Sequence, residues 1–176
     1  MDIAHTFCSA TEEMADISEL LKKPSFLIKF LQVILAVVGV ALHQDSIYST
    51  GINGSVNVGL LADKNKIAFV YMVFCGFLLS TMMNIIGKVL GGIPKKLTML
   101  WAVVGCILWV AAGAVILKAY ADVEEMLPST PIKLPPELEK LLNEELAAGI
   151  IGILNGLLYL VEFILVAKFE TEELSS

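Results

Sequence analysis

Long apolar runs broken by short polar stretches dominate the pattern of this chain. Four windows, at about 26–42, 67–87, 97–121 and 146–167, hold almost uninterrupted Leu, Ile, Val, Phe, Met, Ala and Gly. Each is near the 17 to 25 residues that an apolar helix needs to cross a bilayer, and longer than the core helix of a small soluble domain requires. The pattern predicts four membrane-spanning helices. Together they use about half of the chain, which leaves no room for a separate soluble domain.

The polar segments between the spans have distinct characters. Residues 1–25 read as a cytosolic tail carrying a short amphipathic helix: Ser9 and Glu12 stand at capping-box spacing, Met14, Ile17, Leu20 and Leu21 share a face, and Pro24 is the stop. Its acids Asp2, Glu12, Glu13, Asp16 and Glu19 come before any long apolar run, the wrong charge order for a cleaved signal peptide. Its polar face is acidic, which argues against binding of anionic lipid. The first outer loop is rich in Gly, Ser and Asn, and Asn53-Gly54 between β-favouring residues predicts a small hairpin. The second has a proline-rich middle, then Pro136 at a first helical position, with Leu138, Leu141 and Leu142 on a face that leads into the fourth span. The two loops form a small extracellular cap, and residues 168–176 form a cytosolic tail.

Charge sets the orientation. Lys22, Lys23, Lys29, Lys88, Lys95, Lys96 and Lys168 flank span ends on one side, and Lys64, Lys66, Lys118, Lys133 and Lys140 fall on the other, seven against five. Positive flanks face the cytosol, so both termini are assigned there. Asn53-Gly54-Ser55, an acceptor pattern for glycosylation, then falls in an outer loop, in agreement. All basic residues are lysine; the absence of arginine argues against nucleic-acid readout, and the net charge of -6 names no partner.

Cysteine and histidine positions remove several classes. Cys75 and Cys106 lie inside spans and Cys8 in the cytosolic tail, where it is a candidate for palmitoylation; no outer loop contains a cysteine to form a disulfide. This argues against claudin-like and tetraspanin-like proteins, which depend on such bridges. His5 and His43 are far apart and the cysteines scattered, which offers no metal-ligand spacing, and His43 reads as an interfacial side chain. With no nucleophile and base pair and no phosphate loop, the sequence points to a non-enzymatic protein without cofactor or metal.

Inside the spans, small residues recur at the four-residue spacing that lets helix backbones approach. Gly76, Ser80 and Asn84 form one ladder, Gly105 and Gly113 mark the third span, and Ala148, Gly152 and Gly156 the fourth. They predict an all-α, compact four-helix bundle with left-handed crossings. Trp101 reads as an inner-interface anchor and Trp109 as a packing residue. The exception to the apolar pattern is Glu162, in GLLYLVEFILVAK. An acid at such depth must face protein or water, and it shares a helical face with Gly152, Asn155, Gly156 and Tyr159. Lys88 and Asn84 at similar depth on the second span are its expected partners. The structural role is preferred to transport, because the cores of the first and third spans are read as supplying no ionisable group and no span is broken by proline.

The second span, IAFVYMVFCGFLLSTMMNIIGKVLGG, and ILWVAAGAVILKAY in the third, with the cysteine-free glycine-rich first loop, resemble the insect four-span proteins typified by snakeskin and, more loosely, the MARVEL domain. The resemblance implies a component of smooth septate junctions, in the plasma membrane at cell contacts, with membrane lipids, other junction or membrane proteins and further copies of itself as partners. The acidic tail and the proline-rich loop depart from that pattern. The alternative is a small transporter, channel or accessory subunit using Glu162.

Overall fold

The structure, a computed structural model, describes residues 24–48, 64–90, 93–126 and 136–169. All but the short 93–94 link is helical: α1 Pro24–Tyr48, α2 Lys64–Leu90, α3 Lys95–Met126 and α4 Pro136–Phe169. The expected tail helix, the hairpin and proline-rich middle of the outer loops, Cys8 and Asn53 lie outside the described residues.

Proline sets where the helices start. Pro24 and Pro136 occupy the first positions of α1 and α4, where a missing N–H removes a donor that would have no intrahelical acceptor and the ring presets φ. Before α3, the Pro94 carbonyl accepts from the backbone N–H groups of Leu97 and Thr98. The preceding residue, Ile93, packs into the notch at Gly87 on α2: a Cβ at Gly87 would come within 2.8 Å of its Cδ1. Each helix contains a segment long and apolar enough to cross a membrane, Pro24–Gln44, Asn65–Leu90, Lys95–Glu125 and Glu139–Lys168. The segment in the loop that begins with Pro136 runs without interruption into the fourth of these.

Each helix packs on the next in sequence, and α4 closes back on α1; α3 with α4 and α1 with α4 make the most extensive contacts. The buried positions explain the ring. On α4 they are Glu145, Ala148, Gly152, Asn155, Tyr159, Glu162 and Val166; on α3, Thr98, Ala102, Gly105, Trp109, Ala112, Ile116 and Ala119. Both sets alternate steps of three and four, the spacing that keeps one seam facing its partner in left-handed helix packing. On α1 the corresponding line is Phe26, Lys29, Gln32, Ala36, Gly39 and His43, and on α2 it is Val70, Val73, Phe77, Thr81 and Asn84.

Small residues bring α3 and α4 together. A Cβ on Gly113 would meet the Gly149 carbonyl oxygen at 2.8 Å and the Ile153 nitrogen at 2.9 Å, and one on Gly152 would meet the Gly113 Cα at 3.0 Å. At Gly156 it would meet Val110 and the Cys106 carbonyl, and at Gly105 the ring of Tyr159 at 2.6 Å. Ala148 is fully buried. These positions therefore sit at a backbone-to-backbone seam. Gly76 has a different environment: it is exposed, and nothing would lie within 4 Å of a Cβ there. The ladder of Gly76, Ser80 and Asn84 divides accordingly, with Gly76 outward, Ser80 half-buried and Asn84 buried.

Candidate functional site

Aromatic packing builds the centre of the bundle. Phe74 of α2 stacks on Trp109 of α3 with ring centroids 4.5 Å apart, and Phe77 lies edge-on to both Trp101 and Tyr159. Trp109 and Phe74 are fully buried. Trp101 is exposed on its outer side. Cys75 and Cys106 are half-buried free thiols.

Two buried polar pairs flank this centre, an ion pair and a histidine–carboxylate contact, and both join α1 to α4. Near the start of α1 and the end of α4, Lys29 Nζ lies 2.7 Å from Glu162 Oε1. The ammonium approaches off the hydrogen-bond direction, so this contact is an ion pair by distance. The other carboxylate oxygen accepts from Gln32 Nε2 at 3.1 Å. At the opposite end, His43 Nδ1 is 3.1 Å from both carboxylate oxygens of Glu145. An ionised carboxylate only accepts, so Nδ1 carries the hydrogen in that pair. Tyr71 and Phe74 enclose the imidazole, with centroids at 5.0 and 6.2 Å. Lys29, Gln32, His43, Glu145 and Glu162 are all at most 3% exposed. Seventeen residues separate Glu145 from Glu162, about 25 Å of helical rise.

The groups that engage Glu162 therefore stand on α1, and not on α2 as the sequence suggested through Lys88 and Asn84. Asn84 donates to the Ser80 carbonyl one turn back on its own helix, at 2.8 Å. Across the bundle from α2, it is Thr81 that reaches α4: its hydroxyl shares a short hydrogen bond with Tyr159 and bonds the Phe77 carbonyl at 2.7 Å. Two further expectations are corrected. Lys29, counted as a charge flanking the first span, lies inside the bundle, and His43, read as interfacial, is fully buried against Glu145. The first span thus does supply ionisable groups to the interior.

A signal for these residues was present in the sequence. Lys29, Gln32, Ala36, Gly39 and His43 recur at helical spacing, so the polar members of α1 share the face of its small residues. Glu145 continues the Glu162 face five turns toward the N-terminus of α4, just outside the apolar window taken for the span. Counting charges by their distance from span ends hid both features, because a lysine or histidine near an end is ordinarily read as an anchor.

Chemically, the arrangement compensates buried charge. A carboxylate removed from water is costly unless paired and hydrogen-bonded, and each acid on the α4 line meets a nitrogen group from α1. Between the two pairs the interior is closed by packing: Gly39 receives Phe74 and Ile151, and Gly113 abuts Gly149, Gly152 and Ile153. Among the described residues, no group of three or more His, Cys, Asp or Glu is placed to hold a metal ion. Comparison of the chain with protein-family models, with curated proteins and with solved structures gives no match.

Proposed function

We propose that this chain is an integral four-span membrane protein, non-enzymatic, that organises cell contact or membrane domains as a barrier component of the smooth septate junction type. In this reading it resides in the plasma membrane at cell contacts with both termini in the cytosol. It works by association in the membrane plane with further copies or with other membrane proteins.

The observation that carries the proposal is the outward face of α2. Met72, Gly76, Leu79, Met83, Ile86 and Leu90 follow one another at steps of four and three, and the large members are 46 to 81% exposed. This is a second seam, turned away from the bundle, with a notch at Gly76 into which a neighbouring side chain fits. Weak contacts of this kind gain strength when many copies engage together. The buried charges, by contrast, are directed at one another, which suits a rigid unit presenting its outer surface.

A second reading, a small transporter, channel or accessory subunit, is favoured by one observation: Glu145, Asn155, Tyr159 and Glu162 share a single buried line of α4. One experiment separates the two. Crosslinking in native membranes is expected to give higher-order species in the wild type that disappear in Gly76→Ile, while the yield of folded monomer is unchanged. Reconstituted liposomes are expected to show no ion or proton flux. Flux abolished by Glu162→Gln, with no crosslinked species, would reject the junction reading and promote the transporter.

A further inference from the structure

Four polar atoms in the middle of the bundle have no hydrogen-bond partner among the described residues: Gln32 Oε1, Trp109 Nε1 and both Oδ1 and Nδ2 of Asn155. Asn155 and Trp109 are fully buried, and Gln32 is 1% exposed. The Trp109 indole interacts with the nearby Tyr159 hydroxyl without reaching hydrogen-bond geometry. A buried amide or indole N–H left in this condition costs free energy comparable to a lost hydrogen bond, and most such groups in folded proteins have partners.

The helix register places the four atoms near one another. Gly105 lies against Tyr159, Val110 against Gly156, and Gly113 against Gly152, so Trp109 stands within about one helical turn of Asn155 across the α3 and α4 seam. On α1, Gln32 reaches Glu162 while Gly39 meets Ile151, so Gln32 stands between the levels of Asn155 and Glu162. The set is complementary. Trp109 offers a donor, Gln32 an acceptor, and Asn155 one of each, whichever way its amide is turned.

We propose that water is bound in the bundle interior at Asn155, and that it links the Asn155 amide to the Trp109 indole on one side and to the Gln32 and Glu162 group on the other. One molecule accepts from Trp109 Nε1 and donates to the Asn155 carbonyl oxygen. A second accepts from the Asn155 amide nitrogen and donates to Gln32 Oε1. Buried waters typically make two to four such bonds to groups that would otherwise be unsatisfied. The hydrated region occupies the half of the bundle that holds Glu162. Toward Glu145 it is closed by the Gly39, Phe74 and Ile151 contacts and by the α3 and α4 glycine seam, so the two buried pairs are not joined by a continuous wire. The site goes beyond the junction reading and does not depend on it.

The test is hydroxyl-radical footprinting by X-ray radiolysis of the full chain in lipid nanodiscs, where water bound next to a buried side chain is the source of the label. Trp109 and Tyr159 are expected to be labelled in the wild type despite their burial. Labelling of both should fall several-fold in Asn155→Leu and persist in Asn155→Ser, which keeps a hydroxyl for the water to bond. Near-ultraviolet circular dichroism, compared across the three proteins, confirms that each is folded; if the leucine variant is not, loss of label in Asn155→Val serves in its place. Wild-type Trp109 and Tyr159 as unreactive as in a dry core would overturn the proposal, pointing to direct bonding of Asn155 within the bundle. Labelling that survives in a folded apolar variant of Asn155 would also overturn it.

Discussion

Replacing Lys29 and Glu162 singly and together tests whether their ion pair fastens α1 to α4. Removing one member of a buried ion pair leaves the other charge uncompensated, which typically costs about 3 to 5 kcal/mol. Position modifies this figure differently for the two residues. Lys29 lies five residues inside α1, about 7.5 Å of rise, and four methylenes let a stranded ammonium bend toward that end of the helix. Glu162 has a shorter side chain and is held by Gln32 at 3.1 Å, so it has less freedom to escape.

Lys29→Met is therefore expected to lose about 3 to 4 kcal/mol and Glu162→Leu about 1 to 3. Glu162→Gln retains an acceptor for both partners and should lose about 1 kcal/mol. The double variant, Lys29→Met with Glu162→Leu, buries two apolar side chains of similar size and should lie within about 1 kcal/mol of the wild type. The cycle thus predicts a coupling of about 3 to 8 kcal/mol, which is at least about 100-fold in the folding equilibrium. Reversible unfolding in mixed micelles, followed by the fluorescence of the buried Trp109, measures all four proteins. Additive losses, with a coupling below about 0.5 kcal/mol, would refute the claim that this pair holds the helices together.

The glycines and the second pair supply further checks in the same assay. Gly113→Ala must push apart backbone on both sides and Gly105→Ala must displace a Tyr159 ring tied to Thr81, so each should lose about 1 to 3 kcal/mol; Gly76→Ala, with open space around it, should stay within about 0.5 kcal/mol of the wild type. Glu145→Gln keeps an acceptor for the His43 Nδ1 hydrogen and should lose about 0.5 to 1.5 kcal/mol, whereas Glu145→Leu leaves that donor stranded and should lose about 1 to 3. Equal losses from the two Glu145 variants would show that this contact contributes little.

How much of this was legible in the sequence follows from the nature of each signal. Four apolar windows specify four long helices because helix length and hydropathy are local properties, and the Gly113 and Gly152 spacing marked a close seam for the same reason. Which helix lies beside which is not local. Lys88 and Asn84 are reasonable partners for Glu162 by depth alone, yet depth does not tell α2, which runs parallel to α4, from α1, which runs antiparallel to it and places residues at the same level. The geometry resolves it through small side chains: α4 packs most closely on α3 and α1, and it is Gly39 that receives Ile151. The α1 neighbour then supplies Lys29, Gln32 and His43, and among the described residues α2 meets α4 across the bundle, through Thr81 and Phe77.

The same reasoning explains why polar residues are gathered on α1 and α4. A helix whose buried line carries Lys, Gln and His is a poor match for a hydrocarbon environment by itself, as is one carrying two Glu, an Asn and a Tyr. Each line satisfies the other only in one vertical register, since Lys29 must meet Glu162 while His43 meets Glu145. Sliding α4 by one turn, about 5.4 Å, would break both contacts together. An apolar α1 and α4 interface would tolerate such a slip at small cost, because one Leu or Ala substitutes well for another along a seam. Two buried polar pairs about 25 Å apart fix the register of the first and last helices, and through the α3 and α4 glycine seam they fix the third. This leaves α2 as the helix least constrained by interior contacts and most available at its outer face, where the proposed association between molecules is placed.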